Sequence, residues 1–195
     1  MRIWDTELLL AKASEPSYIT DGLVLWLDGI QNTRSGHNAS ATTWEDLSGN
    51  QYYFTASSTP VWADDHCVFN GSFHFVKDTP NNELSNTGTV EVCFKSSNNV
   101  CVFSFNYGAM VVINNGKLRL GSYGGSGRQN CGEYVKPSNF MSVSFKREEY
   151  PTSCMINGAS NSSTGTGWFG EGSGHVARLG NRNDGNYWFQ TAFDS

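Results

Sequence analysis

The sequence predicts an all-β protein in which two antiparallel sheets pack face to face. Three observations lead there. From residue 18 onward apolar residues recur at every second position, as in "GTVEVCFK" (88–95), where Val90, Val92 and Phe94 alternate with Thr89, Glu91 and Lys95. Asn-Gly occurs at 70–71, 115–116 and 157–158, each time between strand-like runs, and this pair tolerates the positive φ angles that tight hairpin turns demand. Several other runs are apolar on both faces, which a single open sheet cannot cover.

Taken in order, residues 3–13 read as a short helix. Trp4, Leu8 and Ala11 share a face, acids stand near its start and Lys12 near its end, as the helix dipole favours, and Pro16 stops it. Next comes "DGLVLWLDG" (21–29), with Leu23, Leu25 and Leu27 on one side and Val24 and Trp26 on the other. It reads as a strand covered above and below, and Asp28 before Gly29 as its turn. "VCVFSF" (100–105) and "AMVVI" (109–113) share the two-faced pattern and are expected at central sheet positions. "FMSVSFK" (140–146) alternates Met141, Val143 and Phe145 with Ser142, Ser144 and Lys146, the mark of a half-buried strand. In "DLSGN" Asp46 reads as a turn former that hydrogen-bonds forward into its own turn. A chain of 195 residues can bury one sizeable core, so the reading is a leader, 1–17, followed by one domain, 18–195.

Composition agrees. Only 38% of residues are hydrophobic and 16% charged, while 21 are glycine, which suits many short strands joined by turns and not a helical bundle. With 13 cationic and 18 acidic residues the net charge is −5, and no basic face is offered to nucleic acid or to an anionic membrane. No transmembrane segment is seen. The N-terminus lacks the apolar core of about 7–15 residues that a signal peptide carries. Five cysteines leave at least one unpaired, and none stands in a C-x-x-C spacing. Cys93 and Cys101, inside strand-like runs, are expected to be buried, unbridged thiols, which points to synthesis in a reducing compartment.

"DGLVLWLDGIQNT", "TTWEDLSGN", "CVFNGSFHFV", "TVEVCFK", "CMINGAS" and "RLGNRNDGNYWFQ", in this order, resemble the laminin G-like jelly rolls of the concanavalin A-like lectin and glucanase superfamily, over roughly residues 18–195. Such modules are common in bacterial surface proteins and in phage virion proteins. The resemblance implies a jelly-roll sandwich of two curved antiparallel sheets that often binds glycans, sometimes with calcium, and sometimes provides only bulk or adhesion. In that family a further apolar strand follows the last motif and pairs beside the first strand. Here the chain ends at "TAFDS", so the resemblance implies that residues 23–27 lack a neighbour along one edge and invite self-association or a partner chain.

Related glucanases carry paired carboxylates on one strand, as glycoside hydrolysis requires. The comparable strand here offers Glu91 followed on the same face by Cys93, so Glu91 reads as a solvent-facing strand residue and the protein as no enzyme. His66, His74 and His175 have no companion motif. "GTGWFG" (165–170) matches a phosphate loop only in its letters, because no helix pattern follows. Asn181, Asn183 and Asp184 gather oxygen ligands of the kind calcium takes, although Asn-Asp-Gly is also ordinary turn chemistry. No cofactor is required, and calcium is the one optional ion.

Sugar recognition needs rings for the C–H faces of a pyranose and amides or charges for its hydroxyls. Tyr107, Tyr123, Arg128, Asn130 and Tyr134, in or near "SYGGSGRQNCGEY", supply that set, with Trp168 and Trp188 as substitutes. Trp26, Trp44, Trp62 and Trp188 read better as core residues. The expected function is a non-catalytic carbohydrate-binding or cell-surface adhesion module, with a glycan or cell-surface polysaccharide as partner. Its rival is a structural or decoration module of a phage virion, with residues 1–17 as attachment arm, and a glycoside hydrolase is the third reading. The expected location is a virion or the extracellular surface.

Overall fold

A computed structural model describes residues 21–78, 89–96, 100–105, 109–114, 117–120, 129–133, 140–146, 153–162 and 176–180. Among these residues there is no helix, and every strand pairing is antiparallel. The expected helix over 3–13 lies outside them. In chain order the strands are β1 (Thr43–Glu45), β2 (Tyr53–Ala56), β3 (Val61–Trp62), β4 (Cys67–Val68), β5 (Phe75–Asp78), β6 (Thr89–Phe94) and β7 (Val100–Phe105). There follow β8 (Ala109–Asn114), β9 (Lys117–Leu120), β10 (Gln129–Glu133), β11 (Met141–Lys146), β12 (Ser153–Ile156), β13 (Ala159–Ser162) and β14 (Val176–Leu179).

The large sheet has eight strands in the order β1-β2-β5-β14-β7-β8-β9-β10, the small sheet four in the order β13-β12-β11-β6, and β3-β4 form a ribbon. β7 and β8 stand at inner positions, as their two-faced apolarity requires. Phe54, Phe75 and Ala177 of the large sheet, Phe94, Met141, Val143 and Cys154 of the small sheet, and Cys67 of the ribbon belong to one buried cluster. Each buried phenylalanine adds about 1.5–3 kcal/mol of transfer free energy. On the far side of the small sheet Thr89, Glu91 and Cys93 face solvent while Phe94 is buried, so the period-two reading of this strand holds. The edge strands β10 and β13 run beside one another, bringing the two sheets together at that side.

The turns divide. Asn157 and Gly158 adopt φ 49° and 77° between β12 and β13, a two-residue hairpin with both central residues left-handed. β8 and β9 pair with Asn114 opposite Lys117, which leaves only residues 115–116 to close that hairpin. Asn70-Gly71 is not a hairpin: β4 pairs with β3, whereas β5 pairs with β2 and β14. The cause is aromatic. Phe69 and Phe73, on either side of the turn, stack with ring centroids 5.2 Å apart and are both buried, so the two rings anchor in the core while the turn between them, with Asn70 and Ser72 exposed, carries the chain from the ribbon to the large sheet.

Two further expectations are corrected. Residues 23–28 are not a strand. Leu25 and Leu27 pack against the core, but on the other side Val24 is 44% exposed and Trp26 only half-buried, so the second face is covered in part. Side chains replace a ladder here. The Trp26 N–H donates to Asp46 Oδ1 (2.9 Å), Ser48 Oγ donates to Val24 O (3.1 Å) and Asn50 Nδ2 to Val24 O (2.9 Å), while the Leu47 N–H donates to Trp26 O (2.8 Å). Cys93 is exposed, because it shares the outward alternation of Glu91; Cys67, Cys101 and Cys154 are buried, and none of these four is in a disulfide.

Candidate functional site

The loop that the sequence marks for sugar binding is framed by β9 and β10. These strands pair with Leu120 opposite Gln129, so residues 121–128 connect the last two strands at one edge of the large sheet. Asn130 lies on β10 opposite Arg119, and the register shifts between Asn130 and Gly132. A bulge on an edge strand twists it away from continued pairing and re-aims its side chains. Tyr107, Tyr123, Arg128 and Tyr134 lie outside the described residues, as do Asn181, Asn183 and Asp184, together with Trp168, Trp188 and His175. Of the eight candidate ligand residues, only the backbone of Asn130 is placed.

The strand compared with glucanases can be read side chain by side chain. Glu91 is exposed and accepts a hydrogen bond from Ser142 Oγ at 2.7 Å. Along β6 the next residue on that face is Cys93, opposite Ser142, and Ser144 stands opposite Glu91. Burial, and then the Glu91 charge, push the Cys93 thiol up. This face therefore sets one carboxylate beside a protonated thiol and serines, which supplies no acid and nucleophile pair.

The carboxylates assigned to turns are occupied there. Asp28 Oδ1 accepts the N–H groups of Ile30 (2.7 Å) and Gln31 (3.1 Å). Asp46 is fully buried; it takes the N–H groups of Trp26 and Ser48 (both 2.9 Å) on Oδ1, and Ser48 Oγ (2.7 Å) and the Tyr52 N–H (3.3 Å) on Oδ2. Trp44 and Trp62 pack against the core and donate their indole N–H to Asp28 O and Ala41 O, both at 2.8 Å. Trp26 is half-buried.

Two groupings escaped the sequence reading. Asp65 pairs with His66 Nδ1, which holds the Asp65 carboxyl below its ordinary value; the His66 ring lies edge-on to Phe140 at 5.1 Å, and its Nε2 is buried without a hydrogen-bond partner. On the large sheet, Arg178 of β14 and His74, just before β5, share the side away from the core, and Ser57 Oγ lies 3.1 Å from His74 Nδ1. The only sequence signal for Arg178 is its place between the inward-facing Ala177 and Leu179 in "VARL". Among the described residues no group of three or more His, Cys, Asp or Glu side chains is placed to hold a metal ion. No family model matches the chain, and no curated protein matches it.

Proposed function

We infer that the protein is a non-catalytic carbohydrate-binding module, or an adhesion module for a cell-surface polysaccharide, built as a laminin G-like jelly-roll sandwich. The fold reading draws support from two antiparallel sheets around one aromatic-rich core. The observation that carries the function is the β9–β10 hairpin. Its connection, 121–128, contains in sequence a tyrosine, an arginine and several glycines, and it joins β9 to β10, an edge strand bearing Asn130 whose register shifts between Asn130 and Gly132. A rim loop on a rigid sheet is where recognition is commonly placed, since its sequence is free of the packing constraints of the core. Asn181, Asn183 and Asp184 are the residues that would hold calcium if the module uses it. Catalysis has no support on β6, where Glu91 neighbours Cys93.

The test is the affinity for a bound glycan in Tyr123→Ala and Arg128→Ala. Each should weaken binding by roughly tenfold. Unchanged affinity in both removes the loop from the site, and turnover of a glycan that disappears in Glu91→Gln overturns the non-catalytic reading.

A further inference from the structure

We propose that the side of the large sheet facing away from the core carries an oxyanion-binding site centred on Arg178, whose ligand is a carboxylate or sulfate group such as an acidic sugar bears. The site is independent of the 121–128 loop.

The placement follows from the register. Ala177 and Leu179 on β14, Phe73 and Phe75 before and on β5, and Phe103 on β7 all pack into or against the core cluster. On β14 and β5 the alternate residues Arg178, Val76 and His74 therefore face the other way, and on β7 Ser104, paired with Arg178, shares that side and is fully buried. Arg178 stands opposite Val76 on one side and Ser104 on the other, and Val76 stands opposite Thr55, so one row across four strands reads Thr55, Val76, Arg178, Ser104. His74 lies on the same side, diagonal to Arg178, with Ser57 at its Nδ1.

Arg178 is half-buried near the middle of this sheet, and its Nε is buried without a hydrogen-bond partner. A guanidinium cannot shed its charge, and buried N–H donors without acceptors are rare and mark a missing ligand, strain or function. With Nε shielded, the Nη edge is the part that can meet a ligand, and its two parallel N–H groups match the spacing of two oxygens on one carboxylate or sulfate. His74 reports the same field: burial first, and then the Arg178 charge, hold its proton affinity below the ordinary histidine value. An anion on Arg178 cancels that repulsion, so ligand binding and His74 protonation favour each other. The ionisable residues of β5 itself are Lys77, in register with Ala177, and Asp78, in register with Val176.

The experiment follows the His74 ring signals by NMR in the intact chain. D-glucuronate and sodium sulfate are titrated separately at constant ionic strength, with chloride and methyl glucoside as controls. Saturable movement of the His74 signals by glucuronate or sulfate, with an upward shift of the His74 pKa, is the expected result; Arg178→Gln abolishes it, and Arg178→Lys, which keeps the charge without the fork, weakens it by roughly tenfold. Saturation by glucuronate alone identifies an acidic sugar as the source, and saturation by both identifies any oxyanion of this size. No saturable shift with either probe overturns the site. So does a silent native chain whose Asp78→Asn variant binds, because Asp78 is then the guanidinium's own partner. A glycan that still binds through Tyr123 leaves the loop reading intact in both cases.

Discussion

Asp46 shows how one side chain can replace a piece of sheet. Its two oxygens collect three backbone N–H groups and one hydroxyl with no exposure to solvent, and they fasten Trp26 to the 46–52 turn. Removing the acceptor strands those donors in the interior. Asp46→Ala is expected to lower stability by about 2–4 kcal/mol, and Asp46→Asn by less, since one amide oxygen can still serve Trp26 and Ser48 while the amide nitrogen confronts the Tyr52 N–H. Urea unfolding midpoints with unchanged slopes would establish the order. The sequence marked Asp46 as a turn former from "DLSGN", and the bond to the Ser48 N–H agrees; its grip on Trp26, twenty residues away, has no local signal. His74 carries a pH consequence. Because its folded proton affinity lies below the unfolded one, the unfolded chain binds more protons, so stability falls as pH drops below about 6.5 through the folded pKa. Replacing His74 with Gln should flatten that part of the Tm-against-pH curve relative to the native chain, and an identical slope in the two proteins would contradict this sign.

At the scale of elements, the period-two pattern was a good guide where one face meets the core. β6 and β11 pair along their whole length, Thr89 opposite Lys146 through Phe94 opposite Met141, with Phe94, Met141 and Val143 inward as their alternation implies. It misled at 23–27, where five consecutive apolar residues suggested a strand covered twice. Apolar content does not specify a ladder: Ser48 and Asn50 side chains capped the backbone carbonyls first, and Val24 stayed outside. Asn-Gly signalled turn geometry correctly but not what the turn joins, since Phe69 and Phe73 decided the path at 70–71. At 157–158 the turn carries a heavier role. The Asn157 N–H donates to Ser142 O and its Oδ1 accepts the Ser142 N–H, both at 2.9 Å, which ties the hairpin to β11. Gly158→Ala, at φ 77°, should cost about 1 kcal/mol, read as a lower Tm; a Tm at or above that of the native chain would show that the turn relaxes without strain.

At the scale of the molecule, the feature that no local pattern reveals is strand order. β14, the last described strand, sits between β5 and β7, so the large sheet is joined across its middle by a segment about a hundred residues from β5 in the chain. Periodicity names strands and faces, whereas partners are chosen by which buried faces fit together, and this is also why Arg178 drew no notice in the sequence: its setting exists only once β14 lies between β5 and β7. The candidate sugar loop rests on residue types alone, and the fold adds only that residues 121–128 connect β9 to β10. The central claim is recognition without turnover. A glycan array probed with the intact chain, with and without calcium, tests it most directly: saturable binding that free sugar inhibits and that leaves the glycans uncleaved is the expected result. Silence across neutral and acidic glycans in both conditions would contradict it and favour a structural module, such as a virion protein.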